Sequence, residues 1–265
     1  MKGKVDIMKD FIVIDFDNTL INNEEEIPTS TIVLFDELRR EKKRIIILTD
    51  SCLNRVLYYN YSFPFIDYII SSAGSYVYDV VKEKEVYKKN ILVSNVNKII
   101  NYFYDKCMIY LTDKLNCNLI NGDDNNQDVV IINDYKVYLN DNKSSIYKID
   151  LVFDNNESIH KYLDVLNGFN LKININVDEN NKTISIIHED ISKLNAVNKL
   201  LLKTKKSIKD IVYIGSDLEI LENVGVGVVS DKEVSYLKTI ATDITSDCNN
   251  KGVEKFLSKY YKKVN

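Results

Sequence analysis

Two aspartates one residue apart, Asp15 and Asp17, close the apolar run Phe11 to Ile14 and are followed by Asn18 and Thr19. Side chains alternate along a strand, so both carboxylates can face the same way at its carboxyl end and share a metal, a phosphate, or both. Carboxylates this close repel unless positive charge lies between them. The chemistry that suits such a pair is phosphoryl transfer. One carboxylate attacks phosphorus, forming an aspartyl phosphate, while its neighbour handles the leaving-group proton. A magnesium ion is the expected cofactor, because a hard cation with few protein ligands bridges a carboxylate to a phosphate oxygen. A solvated pair of strand-end aspartates is the plain alternative.

Three more residues stand at element ends where they can join that pair. Thr49 ends the apolar run that begins at Arg44, and its hydroxyl can donate to a phosphate oxygen. Lys193 begins a helix, where the macrodipole disfavours a cation, so an anion to neutralise would explain it; a solvated lysine is the commoner case. Asp217 follows the run Ile211 to Gly215 and opens a short helix, from which it can ligate a metal. Ser216 with Glu219 also reads as a capping box there, which would explain the acid without chemistry.

The elements that must position these groups follow from hydrophobic periodicity. Phe11 to Ile14 and Arg44 to Thr49 are too short for helix cores and suit parallel strands covered on both faces, as does Phe65 to Ser71. Between the first two, Pro28-Thr29-Ser30 precedes Ile32, Val33, Phe35 and Leu38 at helical spacing. Ligands of such open sheets bind at the carboxyl ends of the strands. From about Glu83 to His188 the texture changes. Alternating strand patterns are expected at Met108 to Thr112, Tyr135 to Leu139, Tyr147 to Phe153, Lys172 to Val177 and Thr183 to His188, with helices at Val96 to Asp105 and Ser158 to Leu166. The core pattern resumes with a helix at Lys193 to Lys203, strands at Ile211 to Gly215 and Val226 to Val229, a capping box at Ser230 and Glu233, and a final amphipathic helix. The fold class expected is α/β: a Rossmann-like parallel-sheet core, residues 1–82 and 189–265, with an inserted α+β cap domain, residues 83–188.

Composition narrows the partners. The 265 residues are 45% apolar and carry a net charge of −4, which leaves no basic surplus for nucleic acid. Four scattered cysteines without a CxxC pair, and two histidines, argue against structural zinc and point to a reduced, cytoplasmic setting. No apolar stretch approaches the length that spans a bilayer, and the opening residues contain no secretory h-region. His188, near the end of the cap, reads as a satisfied strand-end histidine.

The ordered set of an Asp pair, a hydroxyl, a lysine and an acid resembles the haloacid dehalogenase superfamily of phosphatases. Its four motifs match Asp15-Phe16-Asp17-Asn18-Thr19, Thr49, Lys193 and Gly215-Ser216-Asp217. The insertion resembles the C2-type cap of the Cof-like branch, and Ser72-Ala73-Gly74 and Val224 to Val228 resemble two of that branch's turns. The resemblance implies that Asp15 is nucleophile and magnesium ligand, and that Asp17 is general acid/base with its backbone carbonyl on the metal. It also implies that Thr49 and Lys193 hold the phosphoryl group of a small phosphorylated metabolite such as a sugar phosphate. Asp50, beside Thr49, is grouped with the phosphate-binding residues. Two departures stand out. The fourth motif reads GSDLEIL, about three residues short of GDxxND, so Asp217 is either a shifted first acid or the surviving second one. Thr49-Asp50-Ser51 replaces Thr-Gly-Arg, adding negative charge that Arg55 would offset unless it is a surface arginine. A protein of this fold that binds a phosphorylated ligand or a protein partner without efficient turnover is the alternative function.

Overall fold

A computed structural model describes residues 9–62, 64–126, 128–141 and 145–262; the opening residues 1–8 lie outside the described residues. The chain begins with β1 (Phe11–Asp15), α1 (Thr29–Arg40), β2 (Arg44–Leu48), α2 (Leu53–Ser62), β3 (Tyr68–Ser71), β4 (Tyr76–Asp79) and β5 (Lys84–Lys88). It continues through α3 (Val93–Phe103), β6 (Met108–Thr112), β7 (Cys117–Leu119), β8 (Val129–Ile131), α4 (Tyr135–Asp141), β9 (Lys148–Val152), α5 (Asn156–Gly168), β10 (Ile173–Asp178) and β11 (Thr183–His188). It returns with α6 (Lys193–Leu202), β12 (Ile211–Ile214), α7 (Leu218–Asn223), β13 (Val226–Ser230), α8 (Ser235–Ile240), β14 (Asp243–Thr245) and α9 (Gly252–Lys262).

The described strands form two sheets. The first runs β14-β13-β12-β1-β2-β3-β4-β5, parallel from β14 to β3 and antiparallel at the β4 and β5 edge. The second runs β10-β11-β9-β6-β7-β8 and is antiparallel except for the β7 and β8 pair. The protein is therefore α/β, with a core sheet and an inserted second layer, as the sequence led us to expect. Strand β5 hydrogen-bonds to the core sheet, although it lies just past residue 83.

The alternation of β1 explains why it is apolar throughout. Ile12 and Ile14 pack into one hydrophobic cluster and Phe11 and Val13 into another, on opposite faces of the sheet, all essentially buried. Each such side chain contributes about 1.5–3 kcal/mol of burial free energy, so a one-residue slip of this strand would be expelled. Asp15 continues the Phe11 and Val13 face, with β2 on one side and β12 on the other. In the cap, Val96, Ile99, Ile100 and Phe103 of α3 and Ile159 and Leu166 of α5 pack on the second sheet.

Several sequence expectations change. Tyr135 to Leu139 is helix, not strand. Tyr135, Tyr138 and Leu139 pack on the cap core at helical spacing while Val137 is exposed, and Asp134 Oδ1 accepts from the N–H groups of Lys136 and Val137 to start the turn. The third core strand starts at Tyr68 rather than Phe65, because the Phe65 and Ile66 N–H groups donate to Asn60 Oδ1 instead of to a strand. Ser230 and Glu233 form no capping box: Ser230 ends β13 and closes a turn by accepting from Lys232 N–H, and α8 begins at Ser235. No described helix is long and apolar enough to cross a membrane.

Candidate active site

Three loops meet at the carboxyl ends of β1, β2 and β12, and the start of α6 faces them. β1 delivers Asp15 and then a tight turn, Phe16–Leu20, in which Asn18 takes φ +57°. β2 leads to Thr49 and Asp50, and β12 to Gly215, Ser216 and Asp217. Gly74 brings α6 into place. Its φ is +96°, and a Cβ there would stand 2.8 Å from the Ser192 carbonyl oxygen, so only glycine allows the turn of Ser72-Ala73-Gly74 to seat the Lys193 helix. Ser192 caps that helix by accepting from Asn195 N–H.

Asp15 is buried, and its two oxygens differ. Oδ2 accepts from the Tyr213 hydroxyl at 2.8 Å and from Ser216 N–H at 3.0 Å. Oδ1 is buried with no hydrogen-bond partner among the described residues. Burial pushes the Asp15 carboxyl up to about 6, against the pull of Lys193 and the two donors. Burial and the neighbouring Asp15 carboxylate hold the Tyr213 phenol far above its usual range, so it remains a proton donor at neutral pH. The phenol oxygen in turn accepts from Asp217 N–H at 2.8 Å. Gly215 makes room for this cluster: a Cβ there would strike the Asp15 carboxylate and stand 2.5 Å from the Tyr213 hydroxyl oxygen.

Asp17 lies on the open side. Its Oδ2 accepts from Thr49 Oγ1 at 2.9 Å, and Thr49 Oγ1 accepts from Ser51 N–H at 3.0 Å. Its Oδ1 lies 3.3 Å from Arg55 Nη2. Arg55 is no surface arginine: its side chain is 15% exposed and also pairs with Glu25 at 3.0 Å and Asp128 at 2.6 Å. The Thr49 hydroxyl is thus directed at the acid/base candidate, a placement that the strand-end position alone did not reveal.

Lys193 finds a carboxylate as partner, Asp50 Oδ2 at 2.9 Å. Burial would lower the lysine, but Asp50 and Asp15 outweigh it and hold the ammonium charged well above its usual range. The Asp50 carboxylate offers no donor to a phosphate and bears on one through Lys193. Asp217 caps α7: its Oδ1 accepts from Ile220 N–H at 3.0 Å, which displaces the expected box of Ser216 and Glu219. Burial raises its carboxyl.

The donor set does not match a cation cage. Asp15 Oδ2 already accepts two bonds and Asp217 Oδ1 is turned to its own helix, while Asp17, expected to ligate through its backbone carbonyl, has its carboxylate held by Thr49 and Arg55. Among the described residues, no group of three or more His, Cys, Asp or Glu side chains is placed to hold a metal ion. The sequence expectation that Asp15, Asp17 and Asp217 form a ligand set thus meets an arrangement in which a phenol stands beside the nucleophile candidate.

Above these loops the cap closes one side of a cleft of about 850 Å³. Its polar lining includes Lys148, paired with Asp150 at 2.8 Å, and Ser185, whose hydroxyl donates to Asp150 at 2.5 Å. Burial opposes charge on Lys148, but Asp150 and Asp50 hold it protonated. Tyr213 and Lys148 were not singled out from the sequence, and Ser216 was read as a cap and motif residue rather than as a donor to Asp15. Tyr213 becomes legible only once the register is known: it pairs with Val13, two residues before Asp15, so period two sends its ring toward the same face as the carboxylate. His188 is buried at the end of β11 and accepts from Asp190 N–H, outside the site.

Residues 12–257 match the family described as haloacid dehalogenase-like hydrolase. No curated protein sequence is detectably similar to the chain. Among solved structures, a haloacid dehalogenase-like hydrolase from Bacteroides thetaiotaomicron superposes with a TM-score of 0.84 at 19% identity, covering 95% of this chain and 99% of that one. A Thermotoga maritima protein gives 0.80 at 18% identity, over 95% and 97%. A sugar phosphatase of haloacid dehalogenase subclass IIB gives 0.76 at 15% identity, over 95% and 98%. These likenesses establish a common fold.

Proposed function

This chain belongs to the haloacid dehalogenase-like hydrolase family, and we propose that it hydrolyses phosphate monoesters of small metabolites, sugar phosphates or similar, through an aspartyl phosphate on Asp15. The observation that carries this reading is the buried Asp15 Oδ1, which accepts no hydrogen bond from the described residues while its partner oxygen is held by two donors. A nucleophile needs a free lone pair in a fixed direction.

In the proposed reaction Oδ1 attacks phosphorus and forms the acyl phosphate. The ester P–O bond breaks, and Asp17 delivers a proton to the leaving oxygen. Asp17 then takes a proton from the water that attacks the acyl phosphate, which returns Asp15 and releases inorganic phosphate. Thr49 orients Asp17 for both transfers. Lys193 supplies positive charge to the phosphoryl oxygens, exchanging its pair with Asp50 for one with the ligand. The polar cap wall of Lys148, Asp150 and Ser185 suits a hydroxyl-rich substrate. We take residues 1–82 and 189–265 as the catalytic core and 83–188 as the cap, a division supported by the second sheet being drawn wholly from within the insertion, although β5 of that insertion pairs with the core sheet.

Hydrolases of this family are generally magnesium-dependent. The donors present here do not fit such an ion, so no step is routed through one. Two observations favour a second reading, a protein that binds a phosphorylated ligand without efficient turnover: the shortened fourth motif and the carboxylate already paired with Lys193.

Release of inorganic phosphate from sugar phosphates, nucleotides, pyridoxal phosphate and an aryl phosphate, with Asp15→Asn as control, separates the two. Turnover lost in the variant supports the hydrolase. Binding of inorganic phosphate without turnover, in folded protein, supports the second reading.

A further inference from the structure

Resting on the reading of Asp15 as nucleophile, we propose that Tyr213 is a positioning residue that takes the part of a divalent cation, so that the site works without one. The Tyr213 hydroxyl and Ser216 N–H both donate to Asp15 Oδ2, at 2.8 and 3.0 Å. A cation on that oxygen would have to compete with these donors. Oδ1 remains as the attacking atom.

The surroundings hold the phenol where it is. Asp217 N–H donates to its oxygen at 2.8 Å, which leaves the hydroxyl proton directed at Asp15. Only Gly215 and Ser216 separate β12 from Asp217, whose Oδ1 is committed to capping α7. Gly215 lacks the Cβ that would part carboxylate from phenol. A ring that fills the space, accepts a backbone bond and donates to the nucleophile is built into the site rather than passing through it.

The chemistry balances without a co-reactant. Oδ1 contributes an electron pair to phosphorus, the ester oxygen leaves with the pair of the broken P–O bond, and Asp17 supplies its proton. The phenol proton stays on Tyr213 throughout. Positive charge for the phosphoryl oxygens comes from Lys193.

The test begins with the metal alone. Manganese(II) is titrated into wild type and Asp15→Asn and followed by paramagnetic resonance; the two are expected to bind alike. One equivalent bound by wild type and lost in Asp15→Asn would overturn the proposal. Hydrolysis of an aryl phosphate by wild type is then measured in chelator and in magnesium, and the rates are expected to agree within about twofold, whereas Tyr213→Phe should lower kcat by about 10–100-fold with KM within about threefold. Chelator abolishing wild-type turnover, or Tyr213→Phe matching wild type, would overturn it. If Tyr213→Phe does not fold, the wild-type titration still decides. A wild type that neither turns over nor binds inorganic phosphate under either condition overturns the phosphate-directed reading and this inference with it; it is told apart from a cation-dependent enzyme because magnesium restores nothing.

Discussion

Arg55 Nη1 lies 2.6 Å from Asp128 Oδ2, an ion pair that runs from the core helix α2 to the cap. The same guanidinium reaches Asp17 and Glu25 through Nη2. One side chain therefore links the acid/base candidate to the cap.

Removing the cap half of that tie should loosen closure without dismantling the core. Asp128→Asn is expected to destabilise the protein by no more than about 1 kcal/mol, since the aspartate is half exposed. Amide exchange in β8 should quicken while exchange in β1 and β12 is unchanged. Equal exchange in wild type and Asp128→Asn throughout would show that the pair does not hold the cap.

Asp15→Asn should eliminate turnover and stabilise the fold. With its carboxyl pushed from 3.8 to about 6, the ionised Asp15 costs roughly 3 kcal/mol at neutral pH, at about 1.4 kcal/mol per unit. An asparagine keeps an oxygen for Tyr213 and Ser216 and carries no charge. A rise in the urea midpoint at pH 7, with activity gone, is the expected pair of results.

The same shift sets a pH dependence. Between about pH 4 and 6 the folded protein binds a proton at Asp15 that the unfolded chain has released, so this group's contribution to stability falls as pH rises through that window. Urea midpoints measured from pH 4 to 7 should show this downward component in wild type and lack it in Asp15→Asn. Turnover should run the other way, rising through about pH 6 as the nucleophile ionises.

Asp50→Asn should free Lys193 for a ligand. The pair is partly exposed, so its loss is worth about 1 kcal/mol, and the dissociation constant for inorganic phosphate should fall about fivefold. Lys193→Met should weaken binding by more than that. Calorimetric titration with inorganic phosphate checks both, and unchanged affinity in Asp50→Asn would show that the aspartate does not compete for the lysine.

Gly215→Ala should be poorly tolerated. Its Cβ would meet the Asp15 carboxylate and the Tyr213 hydroxyl, groups fixed by buried hydrogen bonds, and overpacking of this kind costs about 1–3 kcal/mol. A lowered Tm together with lost turnover is expected, whereas Gly168→Ala, with open space around it, should be benign.

What the sequence determined by itself was the layout. Runs such as Phe11 to Ile14 bury both faces and end in a polar residue, so periodicity alone identified β1, β2, β3, β12 and β13, though not the edge strands β4, β5 and β14, and set Asp15, Thr49 and Lys193 at element ends. Local patterns failed where a distant atom overrode them. Asn60 drew Phe65 and Ile66 out of the third strand, and Asp134 with the cap core turned Tyr135 to Leu139 into helix. At the site, only tertiary structure decided partners. Asp15 and Tyr213 are 198 residues apart, and Lys193 and Asp50 are 143 apart. A hydroxyl or a carboxylate in a sequence has no direction. Which neighbour it meets depends on strand order and register, and these put Tyr213 beside Asp15, where a ligand set of acids had been expected.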